Sequence, residues 1–120
     1  MSTLYAEFVA SRTKDMGSMT NNILHAALGC GTEAGELQTT AKKMWVYNQG
    51  LSTQQKDGQT NEANLIEEAG DLLFYIQMLC NELNIDMRRL MEENVEKLEM
   101  RYPAGYSDKA AAERADKTAE

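Results

Sequence analysis

Two short acidic motifs on different predicted helices hold the residues best suited to chemistry. Glu33-Ala-Gly-Glu36-Leu and Glu68-Ala-Gly-Asp71-Leu share one five-residue pattern, with Ala and Leu at equivalent apolar positions. Acids three residues apart are separated by about 300° of helical rotation and roughly 4.5 Å of rise, so each pair offers two carboxylates to one patch of helix surface. If the two helices pack with their apolar seams together, four carboxylates meet beside the core.

Carboxylates that meet in this way repel one another unless a cation lies between them. The sequence places few Lys or Arg near these acids, and a divalent ion would remove the repulsion. All the donors are hard oxygen atoms, which favours Mg²⁺, or Mn²⁺ as a substitute, over Zn²⁺. A di-iron bundle needs Glu-x-x-His pairs, and no acid stands three residues before His25, the only histidine. The motifs therefore predict a magnesium site whose ligands are Glu33, Glu36, Glu68 and Asp71.

Spacing alone does not distinguish these acids. The same i,i+3 spacing occurs at Glu93/Glu96, Glu96/Glu99 and Glu113/Asp116. In a protein with 19 acidic and 12 basic residues, most such pairs are solvated helix faces. The shared Ala-Gly-Leu setting separates the first two pairs from the rest. Because a glycine inside a helix costs about 1 kcal/mol relative to alanine, we predict that another backbone or a ligand comes close to Gly35 and Gly70.

Apolar residues recur at helical spacing through nearly the whole chain, and Pro103 is the only proline. We predict helices at about 3–14, 20–47, 62–83 and 86–102, with a solvated polar loop at 48–61 and a tail at 104–120 that frays or forms a short helix. The predicted inner faces are Leu4, Phe8 and Val9 on the first helix, Ile23, Ala27, Cys30, Ala34, Leu37, Ala41 and Met44 on the second, and Leu65, Ala69, Leu72, Ile76 and Leu79 on the third.

Together these helices predict one all-α domain over residues 1–120, folded as an antiparallel four-helix bundle. Its narrow seams leave apolar surface for further copies to cover, so we expect a homo-oligomer, either a dimer or a tetramer. A net charge of −7 without a long basic patch argues against a nucleic-acid partner. The sequence shows neither a signal peptide nor a membrane span, and Cys30 and Cys80 read as buried structural thiols. We therefore expect a cytoplasmic protein with no membrane partner.

Beyond the acids, the chain resembles the MazG-like all-α nucleoside triphosphate pyrophosphohydrolases, especially their small single-domain members from phages and bacteria. That family is marked by Glu-x-x-Glu followed downstream by Glu-x-x-Asp, the two motifs described above. Similarity extends to His25-Ala-Ala-Leu-Gly29, Lys42-Lys43 and Asn94-x-x-Lys97-x-x-x-Arg101-Tyr102-Pro103. It covers about residues 22–114, with a looser fit across 48–61. The segment between the two acidic motifs is long for the family, which we attribute to the polar loop.

The resemblance implies Mg²⁺-dependent hydrolysis of a nucleoside triphosphate between its α and β phosphates, giving a monophosphate and pyrophosphate. The four acids would bind the metal. Alternatively, one of them, Glu36 or Glu33, would serve as the general base and not as a ligand. Two alternatives stay open, a phosphoribosyl-ATP-type pyrophosphohydrolase and a non-catalytic helical interaction module with the same fold. The complete set of four acids argues against the module, because a module has no physical need for carboxylates that meet.

The resemblance also implies a phosphate-binding face on the last helix. Asn94, Lys97 and Arg101 share that face and would bind the β and γ phosphates. The alternative is that they are ordinary solvated side chains near a helix C-terminus. Tyr102 either adds a hydroxyl to this site or packs under Pro103.

Four further residues are candidates for binding the substrate. Lys42 and Lys43 either neutralise phosphate or form a solvated helix end. Trp45 either stacks on the base or packs in the core or between copies. His25 either reaches the base or sugar or is a hydrogen-bonded structural histidine.

Overall fold

The structure is a computed structural model that describes residues 4–118, with only the backbone of residue 118. Its helices are α1 (Leu4–Ser11), α2 (Met19–Val46), α3 (Asn61–Leu83), α4 (Met87–Arg101), α5 (Asp108–Glu113) and α6 (Ala115–Thr118). Within the described residues the only β pairings are isolated bridges, Gln54 with Thr60 and Pro103 with Gly105. The all-α prediction is therefore confirmed. Thr3, the predicted start of the first helix, lies outside the described residues.

Side-chain caps set the helix ends close to their predicted positions. The Ser18 hydroxyl accepts a hydrogen bond from the backbone N–H of Asn21 after the break at Gly17, which adopts a φ of +96°. Thr60 caps α3 and Asp86 caps α4 in the same manner. The first helix ends three residues earlier than predicted, at Ser11. There the Thr13 hydroxyl donates to the Val9 carbonyl at 2.7 Å, the acceptor that a further helical N–H would have used.

The first compact unit, Met1–Asn84, is built on α2 and α3. These helices run antiparallel, because Asn22 near the start of α2 donates to Glu82 near the end of α3, and Gly29 packs against Tyr75 further along. Helix α1 packs on α3, where the Asn81 side-chain amide donates to the Ala6 carbonyl at 3.0 Å. The buried cluster consists of Val9, Ala26 and Met78, flanked by Phe74, Tyr75 and Leu79.

Several predicted inner positions are wrong. On α1, Val9 is fully buried as predicted, but Leu4 is 86% exposed and half of Phe8 is exposed. On α2 the buried positions are Ala26 and Thr40, whereas the predicted Ala27 and Ala41 are exposed. On α3 the predicted Ala69 is also exposed. The physical reason for the shift on α2 and α3 is that acidic side chains take up seam positions, as described below.

The segment 48–61 is more ordered than the predicted solvated loop. Asn61, at the start of α3, is fully buried. Its amide group donates to the Gly50 carbonyl at 2.9 Å, and its side-chain oxygen accepts from Gln55 at 2.8 Å. Gln55 also donates to Gln49, so three amide side chains form one network. The loop therefore carries its own polar interior, because every buried amide must find a partner.

The second compact unit, Ile85–Glu120, contains α4, α5 and α6, and its two short helices contact α4. The C-terminal tail is thus helical: Ser107 caps α5, and Arg114 ends it with a left-handed φ of 52°. No residue of α4 is fully buried. Among the helices of residues 4–118, none has the length and apolar character needed to cross a membrane. The four-helix bundle, the single domain and the oligomer stay predictions.

Candidate active site

Glu33 occupies a seam position of α2 and does not simply flank the seam. It lies seven residues after Ala26 and seven before Thr40, the two buried residues of the helix. Two helical turns bring positions seven apart back to nearly the same face, so Glu33 points toward α3 and is half-buried. On α3, Glu68 is half-buried while its neighbour Ala69 is exposed. In both motifs the first acid lies nearer the helix interface than the sequence pattern suggested.

The structure brings three of the four predicted ligands together. One carboxylate oxygen from each of Glu33, Glu68 and Asp71 lies within 4.8 Å of the other two. Glu33 and Glu68 are half-buried and Asp71 is exposed, so the group opens from the helix interface toward solvent. Among the described residues, no Lys or Arg forms an ion pair with any of the three. An all-oxygen group of this kind suits a hard divalent cation.

Burial, together with the neighbouring acids, raises the pKa of Glu68 to about 7. Loss of hydration is the first cause, followed by a hydrogen bond with the Glu33 carboxyl and by the negative charges of Glu33, Glu36 and Asp71. Near neutral pH, and with no cation bound, the Glu68 carboxyl is therefore partly protonated. Such a group of acids should bind a cation well, because the cation removes the repulsion between carboxylates that helps to raise this pKa.

Glu36, the fourth predicted ligand, lies outside the group of three. It is exposed, but it is near enough for its charge to act on Glu68. The three acids thus form the candidate metal site, and Glu36 lies beside them.

The close helix approach occurs at Gly29 and not at the two motif glycines. A Cβ atom added at Gly29 would overlap the ring of Tyr75, whereas at Gly35 or Gly70 it would meet nothing within 4 Å. Within the part of the chain that the structure describes, no other backbone comes close to Gly35 or Gly70, and the approach of a ligand to them stays a prediction. Gly29 lies one turn before Glu33, and Tyr75 lies one turn after Asp71. This contact sets the distance between α2 and α3 beside the acids, and Tyr75 carried no sequence signal except its i+4 spacing from Asp71.

His25 lies one turn before Gly29 and is half-buried. Its ring meets that of Tyr75 edge-on, with 6.1 Å between centroids. The buried Nδ1 atom has no hydrogen-bond partner among the described residues. A structural role and a role with substrate both stay predictions for His25.

The last turns of α2 carry the other predicted substrate residues of this unit. Lys42 is exposed and Lys43 is half-buried. Trp45 is 87% exposed, so packing in the core of its own chain is wrong. Stacking on a base and packing against another copy both stay predictions for Trp45.

The second unit holds the predicted phosphate-binding face. Asn94 and Lys97 are exposed, and neither forms a hydrogen bond or ion pair with another described residue. Arg101 differs, since its guanidinium binds both carboxylate oxygens of Asp116. Tyr102 is the C-cap residue of α4, and its ring lies 5.4 Å from that of Tyr106. Asp116 was missed as a partner because nothing local links it to a residue 15 positions earlier.

Comparison with known proteins identifies the family. A family model described as the MazG nucleotide pyrophosphohydrolase domain matches residues 26–106, more than half of the chain. The chain is also 30% identical over 81 residues to the Gene 37 protein of Mycobacterium phage L5, covering 68% of this chain and 67% of the phage protein. No solved structure gave a significant match. The matched region contains both acidic motifs and the Asn94–Tyr102 segment, and the chain belongs to the MazG nucleotide pyrophosphohydrolase family.

Proposed function

We propose that this protein hydrolyses a nucleoside triphosphate between its α and β phosphates, in a Mg²⁺-dependent reaction that gives a nucleoside or deoxynucleoside monophosphate and pyrophosphate. The observation that carries the proposal is the meeting of carboxylate oxygens from Glu33, Glu68 and Asp71 within 4.8 Å. Membership of a nucleotide pyrophosphohydrolase family supports the same reaction class. Such a group of acids has no structural benefit by itself, because its members repel one another.

The acids of the site divide into two roles in this proposal. Glu33, Glu68 and Asp71 would hold the metal, with Glu68 in its deprotonated form. A bound Mg²⁺ would neutralise charge on the phosphate oxygens and lower the pKa of a coordinated water. Glu36 lies beside the three ligands, so we assign it the general base that accepts a proton from the attacking water. Glu33 is the alternative base.

The remaining candidates bind the substrate away from the reacting phosphorus. Asn94 and Lys97 offer unpaired donors to the β and γ phosphates, together with Arg101 and Tyr102. Lys42 and Lys43 add positive charge near the end of α2. On the nucleoside side, His25 has a buried nitrogen without a partner, and Trp45 exposes a whole ring. These groups suit hydrogen bonding and stacking respectively.

We further propose that the protein associates with copies of itself. The first unit leaves large apolar side chains exposed on both long helices, including Leu24 and Leu28 on α2 and Ile66 on α3. Exposed apolar surface of this extent is typical of protein–protein interfaces. Light scattering coupled to size-exclusion chromatography should give a dimer or a tetramer. A monomer at all concentrations would contradict the proposal.

One assay tests the reaction. The protein is incubated with a panel of NTPs and dNTPs, with and without Mg²⁺, and the phosphorus products are identified by ³¹P NMR. We expect pyrophosphate and a monophosphate from at least one nucleotide, only with the metal present, and loss of both products in Glu36→Ala and Asp71→Ala. Glu96→Gln, which removes an exposed acid of α4 with the same i,i+3 spacing, is the matched control and should remain active. Orthophosphate with a nucleoside diphosphate would show that a different bond is cleaved.

A further inference from the structure

The strongest ion pair in the described residues joins Arg101 to the C-terminal tail. Arg101 Nε donates to Asp116 Oδ1 at 2.7 Å, and Nη2 donates to Oδ2 at 2.9 Å, a bidentate arrangement. Only 16% of the Arg101 side chain and 2% of the Asp116 side chain are exposed. The other ion pairs of residues 4–118 are single contacts between well exposed side chains. The pair therefore differs in kind from the others.

The tail is folded so that Asp116 returns to α4. Helix α5 ends at Glu113, and the left-handed conformation of Arg114 turns the chain so that α6 lies against α4. Asp116 is the buried member of α6. The hydrogen bond from Arg101 holds the pKa of Asp116 down at about 2, so this carboxylate is charged at any physiological pH. The family match ends at residue 106, so α5 and α6 lie outside the matched region.

The bidentate pair uses one edge of the guanidinium, and the Tyr102 ring lies beside the group, its centroid 5.9 Å from the central carbon. A guanidinium has five N–H groups, and Asp116 uses one on Nε and one on Nη2. Both hydrogens of Nη1 point away from that edge. Arg101 shares its helix face with Lys97 and Asn94, which have no partners among the described residues. An arginine that a neighbour already holds in one orientation loses less conformational entropy when it binds an anion.

We propose that Asp116 is a positioning residue for the substrate, because it fixes the Arg101 guanidinium so that its remaining N–H groups bind the β and γ phosphates. The proposal rests on the proposed function, in which Arg101 binds those phosphates. A competing role, in which Asp116 blocks Arg101 until nucleotide displaces it, fits the burial poorly. Displacement would leave a buried carboxylate without its partner, which is strongly unfavourable.

The test compares two acid-to-amide substitutions in the same tail. Asp116→Asn keeps the shape and removes the charge, and Glu113→Gln does the same to an acid whose contact with Lys109 is exposed and 3.8 Å long. Hydrolysis of the best nucleotide of the panel is measured at saturating Mg²⁺. Asp116→Asn should raise KM by about tenfold with kcat within about twofold of the wild type, because positioning affects binding of the phosphates and not the reacting bond. Glu113→Gln should leave both constants unchanged.

A second series shows whether the effect passes through Arg101. Arg101→Lys should raise KM by itself, and adding Asp116→Asn to it should produce no further rise. Asp116→Glu, which keeps the carboxylate, should recover part of the affinity, and circular dichroism checks that each variant folds. If Asp116→Asn does not fold, Asp116→Ser, which also removes the carboxylate, takes its place, and an unchanged KM in that variant then counts against the proposal.

The outcomes separate the inference from the function on which it rests. An unchanged KM in folded Asp116→Asn would show a purely structural ion pair, and a lower KM would show competition with the substrate. Either result overturns the inference while the wild type remains an active enzyme. A wild type that releases no pyrophosphate from any nucleotide overturns the proposed function, and the inference with it.

Discussion

The acids of α4 repeat the i,i+3 spacing of the two acidic motifs, at Glu93/Glu96 and Glu96/Glu99, but their surroundings are very different. On α4, Glu92 and Glu93 pair with arginines one turn earlier, at 3.7 and 3.2 Å, and all four side chains are well exposed. On α2 and α3, Glu33 and Glu68 are half-buried, meet across the interface and have no basic partner among the described residues. Sequence spacing is therefore not what makes a metal site. The proposed metal site differs from the acids of α4 in having a facing helix that also carries acids at the interface.

The energetic consequence of this difference appears in the pKa of Glu68. On α4, the arginine partners and solvent spread the charge of each acid, as on any wet helix face. At the helix interface, loss of hydration and three neighbouring acids act together on one carboxyl and raise its pKa to about 7. Among residues 4–118, no other set of three acids, histidines or cysteines meets in this way. The following experiments test the contrast.

The largest effect is expected from neutralising one acid of each group. Glu68→Gln should lower kcat/KM by about a thousandfold, because it removes a metal ligand and with it the charge stabilisation of the transition state. Glu93→Gln should stay within about twofold of the wild type, since its only partner is an exposed arginine. Pyrophosphate release is the measurement. Equal losses in the two variants would mean that the interface acids have no special role.

A smaller effect is expected from changing how closely the two helices approach. Gly29→Ala forces a methyl group against the Tyr75 ring and should lower the free energy of unfolding by about 1–3 kcal/mol. It should also weaken Mg²⁺ binding, because the acids of α2 and α3 move apart. Gly31→Ala, where the added methyl meets nothing within 4 Å, is the control and should be neutral or stabilising by up to about 1 kcal/mol. Urea denaturation and Mg²⁺ titration measure both quantities, and a Gly29→Ala protein as stable as Gly31→Ala would contradict the packing described here.

Proton release from Glu68 should make Mg²⁺ binding depend on pH. The folded pKa of about 7 lies above the ordinary 4.5, so the folded protein holds this proton more tightly than the unfolded chain does. The stability that the proton contributes is present below pH 4.5 and is lost as the pH rises through about 7. Mg²⁺ competes with the proton, so its affinity should fall by about tenfold for each pH unit below 7.

Calorimetric titration with Mg²⁺ at several pH values checks this dependence, and Glu68→Gln should flatten it. In the metal-free protein, loss of the Glu68 proton should lower the temperature of thermal unfolding near pH 7 relative to that near pH 5. An affinity for Mg²⁺ that is constant from pH 5 to 7 in the wild type would show that no proton on Glu68 competes with the metal.

The smallest effect is expected on α4. Removing the charge of Glu92 or Glu93 should change the free energy of unfolding by less than about 0.5 kcal/mol, because exposed ion pairs gain little and salt screens them. Denaturation of each variant at low and high salt measures this. A loss above about 1 kcal/mol would show that the acids of α4 are not a simple solvated face.

The helix limits followed from the sequence because they depend on local chemistry. Ser18, Thr60 and Asp86 cap the helices that they precede, and each is a residue type that the backbone N–H groups at a helix start prefer. The inner faces were less accurate for a reason tied to function. Hydrophobicity places Ala34 and Ala69 at the seam and the acids outside it. In the folded chain Glu33 is half-buried like Ala34, and Glu68 is half-buried while Ala69 is exposed. Such conflicts between polarity and position are expected at functional sites.

Contacts between distant residues could not be read from local patterns. The buried amide of Asn61 depends on Gln49 and Gln55, in a stretch whose polarity indicated a solvated loop. The pair between Arg101 and Asp116 depends on the turn at Arg114. Gly29 belongs to a segment that resembles the family. The need for a glycine there comes from the ring of Tyr75, which lies against it only when α2 and α3 are packed.

The most direct test of the central claim measures metal binding at the interface acids. Titration with Mn²⁺, followed by the electron paramagnetic resonance signal of the free ion, counts the ions bound and their affinity without requiring catalysis. We expect saturable binding by the wild type and by Glu93→Gln, and loss of that binding in Glu68→Gln. Binding by Glu68→Gln that matches the wild type would show that the acids meeting between α2 and α3 do not hold the metal.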